Sequence, residues 1–140
     1  MPSFSKQSTD ALFTCDWHLQ KLFTIVIQTY DCTIIEGYRS PDKQLKLYDE
    51  GKSRVKVSKH NISPSMAVDV APYVNGRGIP WPKLGSETYS KDILQFYHFA
   101  GYVLGIASEL EFSIRWGGDW DKDFDLADQS FNDLVHYELI

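Results

Sequence analysis

Met66-Ala67-Val68-Asp69-Val70-Ala71 alternates large apolar side chains with small or acidic ones, and a period of two is what a strand with two different faces requires. Met66, Val68 and Val70 read as the core side, leaving Ala67, Asp69 and Ala71 opposite. The last residues, LVHYELI from Leu134 to Ile140, repeat the pattern: Val135, Tyr137 and Leu139 are expected inside, His136 and Glu138 on the other face. The polar faces agree, and if Asp69 and His136 are to converge on one site the two strands must lie close together in one sheet, both residues turned to a common cleft.

Working outward, Leu12, Cys15, Leu19, Leu22 and Val26 step by three or four, which predicts a helix from about Asp10 to Tyr30, capped by Ser8 or Thr9. Cys32 to Glu36 reads as a strand ending at Gly37. Pro41 opens a short helix that Gly51 terminates after about Glu50. Residues 51–65 are polar and carry Pro64, so they are expected to form a long functional loop holding His60. Residues 72–85 are expected to be an irregular surface excursion. Ile93, Phe96, Tyr97, Ala100, Leu104 and Ala107 predict a second long helix over about Ser86 to Glu109. Gly101 and Gly105 each cost it about 1 kcal/mol relative to alanine, so either a neighbour packs closely there or the helix ends at Gly105. Phe112 to Trp116 reads as a strand and residues 117–132 as an acidic loop. Helices and strands mixed with irregular connections favour an α+β fold over a doubly wound one: a small antiparallel sheet packed against two long helices. A chain of 140 residues is expected to form one domain, 1–140.

A formal charge of −5 argues against a partner bound through phosphates, so no nucleic acid is expected. The local run Lys52, Arg54, Lys56 and Lys59 reads either as a solvated loop or as a rim that attracts an anionic substrate. Cys15 and Cys32 are too few and too far apart for a disulfide scaffold or a thiolate zinc site, so buried free thiols are expected. Met1 to Asp10 lacks a basic segment followed by an apolar run, and no stretch approaches the roughly 20 apolar residues of a spanning helix. The expectation is a cytoplasmic chain with no signal peptide and no membrane insertion, acting as a monomer.

Four histidines are present. His18 and His98 lie in helical segments without an acidic or histidine partner at ligand spacing and are expected to be structural or exposed. His60, Asp69 and His136 could supply the two imidazoles and one carboxylate of a catalytic zinc, whose fourth position is left to water. Residue types alone leave this open against a loop histidine and a strand histidine paired with Asp133.

The longer text SKHNISPSMAVDVAPY, Ser58 to Tyr73, resembles the SxHxxGxAxD signature of the zinc D-alanyl-D-alanine carboxypeptidase and dipeptidase family, which includes phage endolysins cutting the L-alanyl-D-glutamate bond of peptidoglycan. The family's first zinc histidine falls on His60 and its zinc aspartate on Asp69. An acidic residue three before the last zinc histidine falls on Asp133 and His136 in FNDLVHYELI, and an upstream arginine after a strand and glycine falls on Arg39 in IIEGYRS. The likeness spans about Cys32 to Ile140 and is closest to the endolysin branch, from FAGYVLGI, RWGGDWD and aspartate at position 133. The His60 to Asp69 interval is two residues longer than the pattern, with Ser63, Pro64 and Ser65 where a glycine is expected.

The resemblance implies a hedgehog/DD-peptidase-like fold with a zinc site in a cleft on the sheet. It implies a zinc metallopeptidase that waits in a phage host's cytoplasm and reaches the wall through a separately made membrane hole. Asp133 is the expected general base and Glu138 the runner-up, with orientation of His136 its other role. Arg39 is expected beside the oxyanion or a substrate carboxylate; the alternative is a surface ion pair with Asp31 or Glu36. A D-alanyl-D-alanine carboxypeptidase or dipeptidase and a non-catalytic zinc module binding the wall are the other activities weighed. Asp119, Asp121, Asp123 and Asp125 alternate as calcium ligands do, but the turn glycine and closing glutamate of an EF-hand are missing. A looser Ca2+ site is the alternative to a solvated acidic loop.

Overall fold

The computed structural model describes residues 1–140. Helices α1 (Lys6–Phe13), α2 (Trp17–Val26), α3 (Pro41–Asp49) and α4 (Tyr89–Glu109) accompany strands β1 (Cys32–Glu36), β2 (Ala67–Pro72), β3 (Ile114–Gly117) and β4 (Asp133–Leu139). The strands form one antiparallel sheet in the order β1-β2-β4-β3, so the expected α+β class holds. The central strands are the two whose polar faces agreed, and Asp69 lies directly opposite His136.

The predicted first helix is in fact two. Its apolar positions are sound, since Leu12, Cys15, Leu19, Leu22 and Val26 are all in the core. The backbone breaks at Thr14 to Asp16 because residue 65 takes its hydrogen bonds: Ser65 N–H donates to the Thr14 carbonyl at 2.8 Å and Asp16 N–H to the Ser65 carbonyl at 2.9 Å. Asp16 then caps α2 through the His18 N–H. The end of β1 packs against this break. A Cβ on Gly37 would lie 2.2 Å from Thr14 Oγ1 and 2.4 Å from the Ala11 carbonyl oxygen, so only glycine admits the contact.

On α4 the buried stripe is rotated from the predicted one, with Phe99 and Val103 at its centre beside Ala100 and Ala107, and Tyr97 and Leu104 at its margin. Neither account of the helix glycines is right. The helix continues to Glu109, and a Cβ at Gly101 or Gly105 would meet nothing within 4 Å; nothing in the structure explains them. Val68, Val70, Tyr137 and Leu139 line the core as expected, whereas Val135 is only half-buried and outside it. The cause is an irregularity in β4. Trp116 pairs with Tyr137 but Gly117 pairs with Asp133, so Leu134, Val135 and His136 are extra residues on the β3 side. Gly117 makes this possible, because a Cβ there would lie 2.1 Å from the Asp133 carbonyl oxygen.

Both cysteines are buried and free. No helix is long and apolar enough to cross a membrane.

Candidate metal centre and active site

The three expected ligand residues come from three elements. His60 lies on a single 3₁₀ turn, Lys59–Asn61, within the otherwise irregular segment 51–65. Ser58 caps this turn, and the Asn61 side chain returns the bond to the Ser58 N–H. Asp69 is on β2 and His136 on β4, and all three are buried. His60 Nε2 lies 3.2 Å and His136 Nδ1 3.4 Å from Asp69 Oδ1, and the group could hold a metal ion.

The far side of each ring decides which nitrogen is offered. His60 Nδ1 is 2.7 Å from the Gly37 carbonyl oxygen. A carbonyl only accepts, so Nδ1 carries the hydrogen and Nε2 presents its lone pair to the centre. His136 Nε2 is 2.8 Å from Glu138 Oε1, which leaves Nδ1 for the metal. Glu138 is in turn held by Arg115 at 2.8 Å and Lys59 at 3.3 Å. Between His60 and Asp69 the longer interval runs past Ser65, which bonds to the break between α1 and α2.

Burial disfavours a charged His136, but hydrogen bonds to Asp69 and Glu138 outweigh it and push the imidazole up to about 9. Burial likewise opposes ionisation of Asp69 and is outweighed by His136 and His60, which hold its carboxyl well below the usual range. Glu138, also buried, is brought down to about 2 by His136 and Arg115.

Asp133 behaves oppositely. Burial, and then the nearby Asp69 charge, push its carboxyl up, against the opposing pull of His136, His60 and Arg39. Strict alternation from His136 would put Asp133 on the core face. The irregularity in β4 turns it into the cleft instead. Arg39 also lines the cleft. Of its two readings the ion pair is present, though buried rather than on the surface: Nη2 pairs with Glu36 at 2.8 Å and lies 3.4 Å from Asp69 Oδ2, while Nη1 donates to Gln44 Oε1 at 2.8 Å. Its Nε is buried without a partner.

The cleft has a volume of about 900 Å³. Trp120, whose ring centroid is 5.5 Å from that of His136, and Phe131, stacked on Trp120, form one wall. Sequence reasoning missed this wall, as well as Gln44 and Arg115. Only the WGGDW text hinted at Trp120, and no periodicity marks partners brought from separate elements. His18 and His98 lie outside the site. His18 does have an acidic partner, Asp16 at 2.6 Å, and His98 meets the Tyr30 hydroxyl at 2.8 Å. In the acidic loop, carboxylates of Asp119, Asp121 and Asp123 converge within 4.8 Å of one another, whereas Asp125 accepts from the Ala127 N–H.

An α+β fold with a His-Asp-His group at the floor of an open cleft, beside a carboxylate of raised pKa, has the makings of a metallopeptidase. A sequence profile described as phage L-alanyl-D-glutamate peptidase matches residues 2–140, and the chain belongs to that family. Its activity is accordingly that of a peptidase acting on the L-alanyl-D-glutamate bond of peptidoglycan. No curated protein matches the chain. Among solved structures, the fold is similar to that of the Serratia marcescens L-Ala D-Glu endopeptidase ChiX, with a TM-score of 0.73 at 20% identity over 99% of this chain and 91% of that one.

Proposed function

We propose that the chain is a zinc-dependent endolysin in which His60, Asp69 and His136 hold the metal and Asp133 carries the proton. The supporting observation is the donor set. Two imidazole nitrogens and one carboxylate oxygen, with neighbouring separations of 3.2 and 3.4 Å, match the edge of about 3.3 Å that a tetrahedron with bonds of about 2.05 Å requires. Held by these three residues, a zinc ion would supply Lewis acidity and lower the pKa of water towards neutrality. Asp133, poised by its raised pKa, accepts the proton of the attacking water and delivers it to the leaving amine. Arg39 holds the second oxygen of Asp69 and places a guanidinium charge where negative charge grows on the carbonyl oxygen. Glu138 keeps the His136 ring in the ligating tautomer, a positioning role.

Digestion of purified peptidoglycan followed by mass spectrometry tests the reading. New amino termini on D-glutamate are expected; release of D-alanine would instead indicate a carboxypeptidase, and zinc-loaded protein yielding no new amines would indicate a wall-binding module. The same reading has the chain made in the host cytoplasm, admitted to the wall through a separately made membrane hole and active as a monomer.

A calcium position at Asp119, Asp121 and Asp123 is also proposed, favoured by the burial of Asp119 and the lack of any hydrogen-bond partner for its Oδ1. Calorimetric titration with Ca2+ should show one site that Asp121→Asn weakens. Absence of heat in the parent protein would remove it.

A further inference from the structure

The basic run along one edge of the cleft divides once its partners are known. Lys59 and Arg115 are committed to Glu138, Arg39 to Glu36 and Asp69, and Lys52 lies 3.8 Å from Glu50. Lys56 sits over the Tyr48 ring. Arg54 is the remaining cation of the cleft lining. It makes no ion pair, and its guanidinium rests 4.3 Å from the centroid of Phe131, which also lines the cleft.

This cation is held in place from both ends. Gln44 is fully buried, and its amide donates to Ser53 Oγ at 2.9 Å and to the Val55 carbonyl at 2.7 Å. The residues on either side of Arg54 are thus tied to Gln44, one through its hydroxyl and one through its carbonyl, while the Gln44 carbonyl takes Arg39. Phe131 fixes the head group by a cation–π contact and is itself stacked on Trp120. An arginine in the cleft lining, held at its base and at its head group and paired with no carboxylate, is a preorganised anion receptor.

A glutamate residue brings two carboxyl groups, and continuing the chain uses at most one. A peptide cut beside an unamidated D-glutamate therefore carries a free carboxylate into the cleft. We infer that Arg54, seated on Phe131 and braced by Gln44, is the specificity residue that binds a free carboxylate of the peptide substrate. The inference rests on the peptidase reading above and names the substrate feature that the cleft edge selects.

Binding separates the two. Zinc-loaded protein made non-hydrolytic by Asp133→Ala is titrated with N-acetyl-L-alanyl-D-glutamate and with its diamide. A charge-assisted hydrogen bond predicts a preference for the diacid of about tenfold or more, and the mono-amides identify the carboxylate. Arg54→Gln in the same background should abolish the preference while leaving diamide affinity unchanged, and Arg54→Lys should restore part of it. An undiminished preference in Arg54→Gln, equal loss for diacid and diamide, or no preference at the start would each overturn the assignment. Cleavage of the diacid by the parent protein is scored separately. Cleavage without Arg54-dependent binding rejects this inference alone, and Arg54-dependent binding without cleavage rejects the peptidase reading alone.

Discussion

Loading the centre with zinc requires His136 to surrender the proton it shares with its carboxylate neighbours. In the metal-free protein the imidazole is raised to about 9 by Asp69 and Glu138, so at pH 7 it is charged, and zinc competes with that proton for Nδ1. Two pH units of competition weaken apparent zinc affinity about 100-fold, or about 2.7 kcal/mol. Apparent affinity should therefore rise about tenfold per pH unit between 7 and 8.5 and flatten above about 9. Calorimetric titration of chelator-treated protein at pH 7, in buffers of different ionisation enthalpy, should count close to one proton released from His136. Glu138→Gln replaces the charged acceptor at His136 Nε2 with a neutral one, so the imidazolium is held less firmly and the slope with pH should shrink. Glu138→Ala, which removes the acceptor, should lose the orientation of the ring as well, at a typical cost of about 10- to 100-fold in metal affinity. Zinc affinity unchanged between pH 6 and 8, with no proton released at pH 7, would refute the reasoning.

Asp133→Ala should keep zinc, by metal analysis of folded protein, and lose about 10²- to 10⁴-fold in peptide hydrolysis; loss of zinc would make Asp133 a ligand. Gly117→Ala should also keep zinc yet lose activity, because its Cβ displaces the Asp133 backbone; full activity would disconnect the β4 irregularity from catalysis. Metal-free protein should be most stable between about pH 4.5 and 6.5. His136, raised from 6.5 to about 9, contributes fully below 6.5 and loses that contribution as pH rises through 9. Glu138, lowered from 4.5 to about 2, contributes above 4.5 and loses it as pH falls through 2. Urea denaturation should show a decline of at most about 3 kcal/mol from pH 6 to 9, and a rise would reverse the sign. Gly37→Ala should destabilise the fold by about 1 to 3 kcal/mol in the same assay and weaken zinc binding, since the Gly37 carbonyl holds His60; wild-type values for both would show that the close approach is slack.

The period of two on β2 and β4 made both strands and their polar faces legible, because side-chain alternation is a local property that burial enforces; that they are neighbours followed only from requiring Asp69 and His136 to converge on one site. The stripe Leu12, Cys15, Leu19, Leu22, Val26 was legible for the same reason. The break within it was not, since its cause is residue 65, remote in sequence. Asp133 shows the limit most clearly. Periodicity assigns it to the core face, and only resemblance to a family motif pointed to the cleft; the physical reason is an irregularity that Gly117 admits and no pattern announces. The aromatic wall and the brace at Gln44 depend on long-range partners, which spacing does not encode.

The pairing of Gly117 with Asp133 also ties together the two ends of residues 118–132. Everything between them hangs from a closed base: the aromatic wall, the converging aspartates and the receptor's ring at Phe131. Peptidases of different appetite could be made by exchanging this one segment, while the reaction centre below it stayed as built.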